Sequence, residues 1–156
     1  MARPRRVVGF SYRGVVRYFL TICTRKRLKA FRDDTTAANT LGHFRRIAKD
    51  ERFAILAYCV MPDHVHFLVE GQAAESDFRR FVRRAKQHSG AAYALSCDEP
   101  LWQDGYYERI LRDDSDAAEF ARYIVWNPVR AGLVLMPEQY LYLGSDAWPI
   151  EELLRA

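Results

Sequence analysis

Two histidines separated by one valine, His64-Val65-His66, lie in the short apolar run Met61-Pro62-Asp63-His64-Val65-His66-Phe67-Leu68-Val69-Glu70. Residues i and i+2 of a β-strand project from the same face, so both imidazoles would leave a strand side by side. Val65, Phe67 and Val69 would point to the opposite face, into a core. Adjacent imidazoles are half of a divalent-metal site. Taken alone, the pair fits two polar residues on a half-exposed strand equally well. A second pair, Tyr123 and Asn127, is four apart in Ala121-Arg122-Tyr123-Ile124-Val125-Trp126-Asn127-Pro128 and therefore shares one helix face. An asparagine carbonyl is a hard ligand suited to Mg²⁺ or Mn²⁺. With the histidines it makes a three-ligand set with open positions for water or a phosphate oxygen. A phenol with an ordinary pKa near 10 is a poor nucleophile at neutral pH. Beside a cation that neutralises the nonbridging oxygens and orients phosphorus, it can displace at a phosphodiester. Singly, Tyr123 also reads as a packing residue and Asn127, before a proline, as a helix C-cap. Their conjunction with His-x-His favours the chemical reading.

The elements that would hold these residues follow from periodicity. Residues 17–24 are β-branched and aromatic, as a strand requires, and a basic turn follows. In residues 35–49, Leu41, Phe44, Ile47 and Ala48 recur at helical spacing. Residues 53–61 form a continuous apolar run, the pattern of a strand buried on both faces. Pro62-Asp63 then makes a tight turn, so the histidine strand returns antiparallel and the histidines sit at its start. Residues 75–95 carry the stripe Phe78, Phe81, Val82, Ala85, Ser89 and Ala92, with Gly90 a weak point for a break. Residues 101–111 read as a strand. Asp116 with Glu119 offers a capping box for the next helix, which should stop near Asn127-Pro128. The remainder, 136–156, reads as irregular structure with a short final helix. This order predicts an α+β, ferredoxin-like (RRM-like) βαββαβ domain over residues 1–156. It would be a four-stranded antiparallel sheet with two helices on one face and the tyrosine-bearing C-terminal helix on the other.

Composition narrows the class. A chain of 156 residues is one domain with room for its own core. No stretch reaches the roughly 18 apolar residues of a membrane span, and MARPRR is followed by no apolar region of a signal peptide. Cys23, Cys59 and Cys97 are an odd set without CxxC spacing, which fits a reducing cytoplasm. The net charge of +4 is unevenly distributed. Arg3, Arg5 and Arg6 open the chain, and Arg25, Lys26, Arg27 and Lys29 follow the first strand. Arg79, Arg80, Arg83, Arg84 and Lys86 share one helix. Such patches suit a polyanion, nucleic acid foremost, although solvated helix faces are the plainer explanation. Arg25, Lys26 and the five helical cations are the candidate DNA contacts. Trp102, Tyr106, Tyr107 and Trp126 are candidates for stacking on unpaired bases.

MPDHVHFLVE resembles the His-hydrophobe-His motif of the HUH single-tyrosine transposases. LWQDGYYERILR followed by ARYIVWNPVRAGLV resembles their REP-associated branch, linked to repetitive extragenic palindromes. The opening RPRR, aromatic strand and basic turn ending in Ala30-Phe31 are also similar, and the resemblance spans residues 2–134. It implies a metal-dependent endonuclease and strand transferase acting on single-stranded or hairpin DNA. The metal, Mg²⁺ or Mn²⁺, would be held by His64, His66 and Asn127. Tyr123 would be the nucleophile, forming a 5′-phosphotyrosine and freeing a 3′-hydroxyl. The covalent link conserves the bond energy, so rejoining needs no ATP. Relaxases and replication initiators usually add a third histidine, whereas His43 and His88 fall here on predicted helices away from the site. Members act as monomers or as homodimers that exchange the tyrosine helix, and a bacterial cytoplasmic location at the nucleoid is implied. The alternatives are a hydrolytic nuclease using activated water, or a non-catalytic ferredoxin-like binding module. The aromatic strand signature of RNA-binding modules is missing, which disfavours the latter.

Overall fold

The computed structural model describes residues 7–155, so the Arg3, Arg5 and Arg6 cluster lies outside the described residues. In chain order the elements are β1 (Arg17–Cys23), α1 (Asp34–Asp50), β2 (Phe53–Met61), β3 (His64–Gly71), α2 (Phe78–Cys97), β4 (Tyr107–Leu111), α3 (Asp114–Arg130), β5 (Leu143–Gly144) and α4 (Ile150–Leu154). The strands form one antiparallel sheet in the order β4-β1-β3-β2-β5. The first four strands are in the expected ferredoxin-like arrangement. The two-residue β5 adds a fifth to the β2 edge, a pairing too short to show as a period-2 pattern.

Alternation in β1 and β3 sorts two cores onto the two faces of the sheet. Tyr18, Leu20, Ile22, Val65, Phe67 and Val69 join Phe44 of α1 and Phe78, Phe81 and Val82 of α2 in the larger core. There Phe67 stacks on Phe44 at 4.7 Å between ring centroids. Phe19, Cys59, Met61 and Leu68 lie on the other face beneath Ala117, Ala121, Ile124 and Val125 of α3. The register of β2 against β3 shifts between Ile55 and Ala57, leaving Leu56 without a partner. This bulge turns Leu56 and Ala57 to the α3 face together, so β2 reaches its end with Cys59 and Met61 on that same face.

Several boundaries differ from the sequence expectation. The strand expected over 101–111 is confined to Tyr107–Leu111. Its first half is a loop in which Leu101 is buried and Trp102 packs on Phe31 and Phe44, its indole donating to Ser89 Oγ at 2.9 Å. Trp102 is thus half-buried against the larger core. The other tryptophan offered as a stacking candidate, Trp126, is half-buried against the α3-side core. Helix α2 continues through Gly90 without a break. The capping box at Asp116 and Glu119 is replaced by an earlier cap, where the Asp113 carboxylate accepts from the Asp116 backbone N–H at 2.9 Å. Nor does α3 stop before Pro128: it runs on to Arg130 with the proline inside. The residue before a proline is only biased against helical dihedrals, and burial of Ile124, Val125 and Pro128 outweighs that bias.

Candidate active site

The two-residue turn Pro62-Asp63 places His64 opposite Met61, and its position is fixed from outside. Asp63 O accepts from Thr24 N at 2.9 Å and from Thr24 Oγ1 at 3.0 Å, while Pro62 O accepts from Phe31 N at 3.0 Å. The segment after β1 therefore clamps the hairpin that carries the histidines. On the α3 face of the sheet, His64 is flanked by Cys23 of β1 and Met61 of β2, and His66 by Thr21 and Cys59.

Each ring nitrogen of the pair has a defined neighbour. His64 Nδ1 lies 2.7 Å from Asp63 Oδ1, His66 Nδ1 lies 2.8 Å from Thr21 Oγ1, and the two Nε2 atoms face each other at 3.1 Å. Two nitrogens bound at about 2.1 Å to one ion at a right angle lie roughly 3.0 Å apart, so the pair fits a six-coordinate cation. Among the described residues no group of three or more His, Cys, Asp or Glu side chains converges on a metal position. Any third protein ligand must therefore be another residue type. Asn127, on α3 one helical turn after Tyr123, is the candidate, with its amide oxygen as the ligating atom. Its amide nitrogen, a donor, is buried without a hydrogen-bond partner, which is costly unless an acceptor meets it.

Burial disfavours charge on both rings. His66 is only 7 % exposed, and desolvation, reinforced by His64, Arg130 and Arg27, drives its pKa down to about 3. Burial lowers His64 as well, partly opposed by Asp63. Burial of Asp63 works against its charge, but hydrogen bonds from His64 and Arg27 hold the carboxyl below its usual range. Both imidazoles are thus neutral at neutral pH, the form that ligates a cation.

Tyr123 projects from α3 over this pair. Its ring is edge-on to His66 at 6.0 Å and to Phe19 at 5.9 Å, yet the residue remains 46 % exposed. A phenol packed on one side and wet on the other is positioned without being occluded. The Arg130 guanidinium lies 4.1 Å from the centroid of the Tyr123 ring and donates to the Tyr123 carbonyl oxygen. Histidines and tyrosine meet within a single chain, because α3 packs on the sheet of its own protomer.

The predicted cations divide between the two layers. Arg25 and Lys26 form a 3₁₀ turn with Arg27 beside the histidine hairpin, where Arg27 Nε donates to Asp63 Oδ2 at 3.1 Å. Lys26 and Arg27 both have φ of 55°, a conformation uncommon for side-chain-bearing residues and frequent at functional sites. Arg79, Arg80, Arg83, Arg84 and Lys86 sit on α2, across the sheet from the histidines. Arg80 and Arg84 bind Glu51, Arg79 stacks on Tyr12, and Lys86 donates to the Gln103 and Gly105 carbonyls. Those four are engaged in the fold, and the structure does not bring them to the site. His43 and His88 both contact Arg46 in the α1–α2 layer, away from the pair as expected. Thr21, Arg27 and Arg130 escaped the sequence reading as site residues. Only Arg27, inside a basic cluster, left a local signal.

A ferredoxin-like domain that sets a convergent histidine pair under a helix-borne tyrosine has the architecture of a single-tyrosine endonuclease and strand transferase. Residues 14–127 match the family model described as transposase IS200-like, and the chain belongs to that family. Its members are DNA endonucleases and strand transferases, and this protein is an enzyme of that class. A REP-associated tyrosine transposase of Escherichia coli K12 is 29% identical over 118 residues, covering 75% of this chain and 68% of the relative. A Haemophilus influenzae Rd protein provisionally given the same designation is 26% identical over 140 residues, covering 80% and 77%. The solved structure of a REP-associated tyrosine transposase bound to a REP hairpin has the same fold. Its TM-score is 0.75 at 24% identity, over 92% of this chain and 82% of that one.

Proposed function

We propose that the protein cuts and rejoins single-stranded DNA at palindromic hairpins, with Tyr123 as the nucleophile. The observation that carries this is the placement of the Tyr123 ring 6.0 Å from His66, whose Nε2 meets that of His64 at 3.1 Å. The hairpin-bound relative of the same fold supports the choice of substrate. His64, His66 and Asn127 would hold Mg²⁺ or Mn²⁺. That ion would neutralise the nonbridging oxygens of the scissile phosphate.

The rest of the chemistry falls to the chain's own groups. The Tyr123 oxygen attacks phosphorus as its phenolic proton passes to solvent, the P–O3′ bond breaks, and the 3′ oxygen leaves and takes up a proton from solvent. A 5′-phosphotyrosine remains, and attack by a 3′-hydroxyl reverses the step. Arg130, over the tyrosine ring, restricts the phenol to few orientations, which favours an in-line approach. Arg25 and Lys26 would contact backbone phosphates beside the histidine hairpin. On α2, the exposed Arg83 would meet a distal part of the DNA.

A labelled hairpin oligonucleotide incubated with Mg²⁺ and resolved on a denaturing gel tests this. The wild type should yield a covalent adduct, and Tyr123→Phe should yield none while still binding the hairpin. Full adduct yield in Tyr123→Phe would refute the assignment, and cleavage with no adduct in the wild type would indicate attack by water.

A further inference from the structure

Asp63, His64, His66 and Thr21 form a continuous chain of contacts across the end of the sheet. Its hydrogen bonds can be satisfied in only one way when both rings are neutral and no ion intervenes. An ionised carboxylate only accepts. The His64 proton is therefore on Nδ1, facing Asp63, and His64 Nε2 is a bare lone pair. That lone pair, 3.1 Å from His66 Nε2, needs a donor, so the His66 proton is on Nε2. His66 Nδ1 must then accept, and the Thr21 hydroxyl must donate to it.

Holding a cation demands a different arrangement, because both Nε2 lone pairs must be free. His64 already meets that demand. His66 does not, and must carry its proton on Nδ1 instead, which turns Thr21 from donor to acceptor. A hydroxyl serves in either sense, whereas a carboxylate cannot donate. Thr21 is paired directly opposite His66 in the β1–β3 ladder and is only 3 % exposed, which leaves little room for water to replace it. Asp63 is held in turn by Arg27 at 3.1 Å.

From these contacts we infer that Thr21 is a positioning residue for His66. Its hydroxyl carries the ring between a metal-free tautomer, locked to His64, and a metal-ready one. Asp63, braced by Arg27, keeps His64 metal-ready throughout. The exchange is proton-neutral: Nε2 gives one proton to solvent and Nδ1 takes one up. The inference rests on the proposed metal site.

Side-chain ¹⁵N spectra of histidine-labelled protein at pH 8, above the ordinary imidazole range of about 6.5, read the tautomers directly. Without metal, His64 should be protonated on Nδ1 and His66 on Nε2, and Mg²⁺ should move the His66 proton to Nδ1. Mn²⁺ titration calorimetry should show roughly 10–100-fold weaker binding in Thr21→Val, with affinity recovered in Thr21→Ser. Valine keeps the shape and strand preference of threonine, so the fold survives. His66 already protonated on Nδ1 without metal would overturn the inference, as would wild-type Mn²⁺ affinity in Thr21→Val. A wild type with the expected metal-free tautomers that binds no Mn²⁺ would instead refute the metal site, and the exchange with it.

Discussion

Acid should destabilise the metal-free protein through His66, by an amount that follows from its burial. Desolvation beneath α3, with smaller contributions from His64, Arg130 and Arg27, lowers its pKa from 6.5 to about 3. The folded state therefore takes up this proton only near pH 3, whereas the unfolded chain takes it up near pH 6.5. Between those values the unfolded state binds more protons, so stability is fully present above about pH 6.5 and is lost as pH falls. A one-proton difference corresponds to about 1.4 kcal/mol per pH unit. Integrated from pH 7.5 to 4.5, His66 alone removes about 2–3 kcal/mol, a large share of the roughly 5–15 kcal/mol of an ordinary domain. Urea unfolding in the presence of a chelator, at intervals across that range, measures it. Other groups also titrate, so the comparison is with His66→Gln, which keeps a polar side chain beside Thr21 and has nothing to protonate. The variant's stability should fall less over the same range, by about 2–3 kcal/mol. Parallel curves for the two proteins would refute the claim that His66 is buried in its neutral form.

Three further outcomes follow from the structure. Phe67→Ala removes a fully buried ring stacked on Phe44 and should cost about 3–5 kcal/mol in denaturant unfolding. Arg130→Ala removes the cation from the Tyr123 ring, so single-turnover adduct formation should slow severalfold, about 0.5–1 kcal/mol, with hairpin affinity nearly unchanged. Lys26→Ala should reduce the slope of log affinity against log salt by about 0.7 for single-stranded DNA. A larger reduction in Arg83→Ala would place the main phosphate contacts on α2 instead of at the histidine hairpin.

By itself the sequence determined the parts of the site whose geometry is local. Period-2 alternation put His64 and His66 on one face and Val65, Phe67 and Val69 on the other, and the structure keeps that division. The Pro62-Asp63 turn, the spacing of Tyr123 and Asn127 on one helix, and the order of the ferredoxin-like elements were equally legible, because each follows from a run of neighbouring residues. The motifs also carried the family resemblance. Other features depended on contacts between segments distant in the chain. Thr21 reaches His66 across 45 residues, through a strand pairing that no local pattern encodes. Helix α3 passes Pro128 because burial against the sheet outweighs the local bias, and that extension brings Arg130 back over the tyrosine ring. The basic stripe of α2 looked in sequence like a binding face, but it lies in the opposite layer, where Glu51 at the end of α1 holds two of its five cations, Arg80 and Arg84. Local periodicity decides which side of its own element a residue takes. Only the packing of the elements decides which residues share a site.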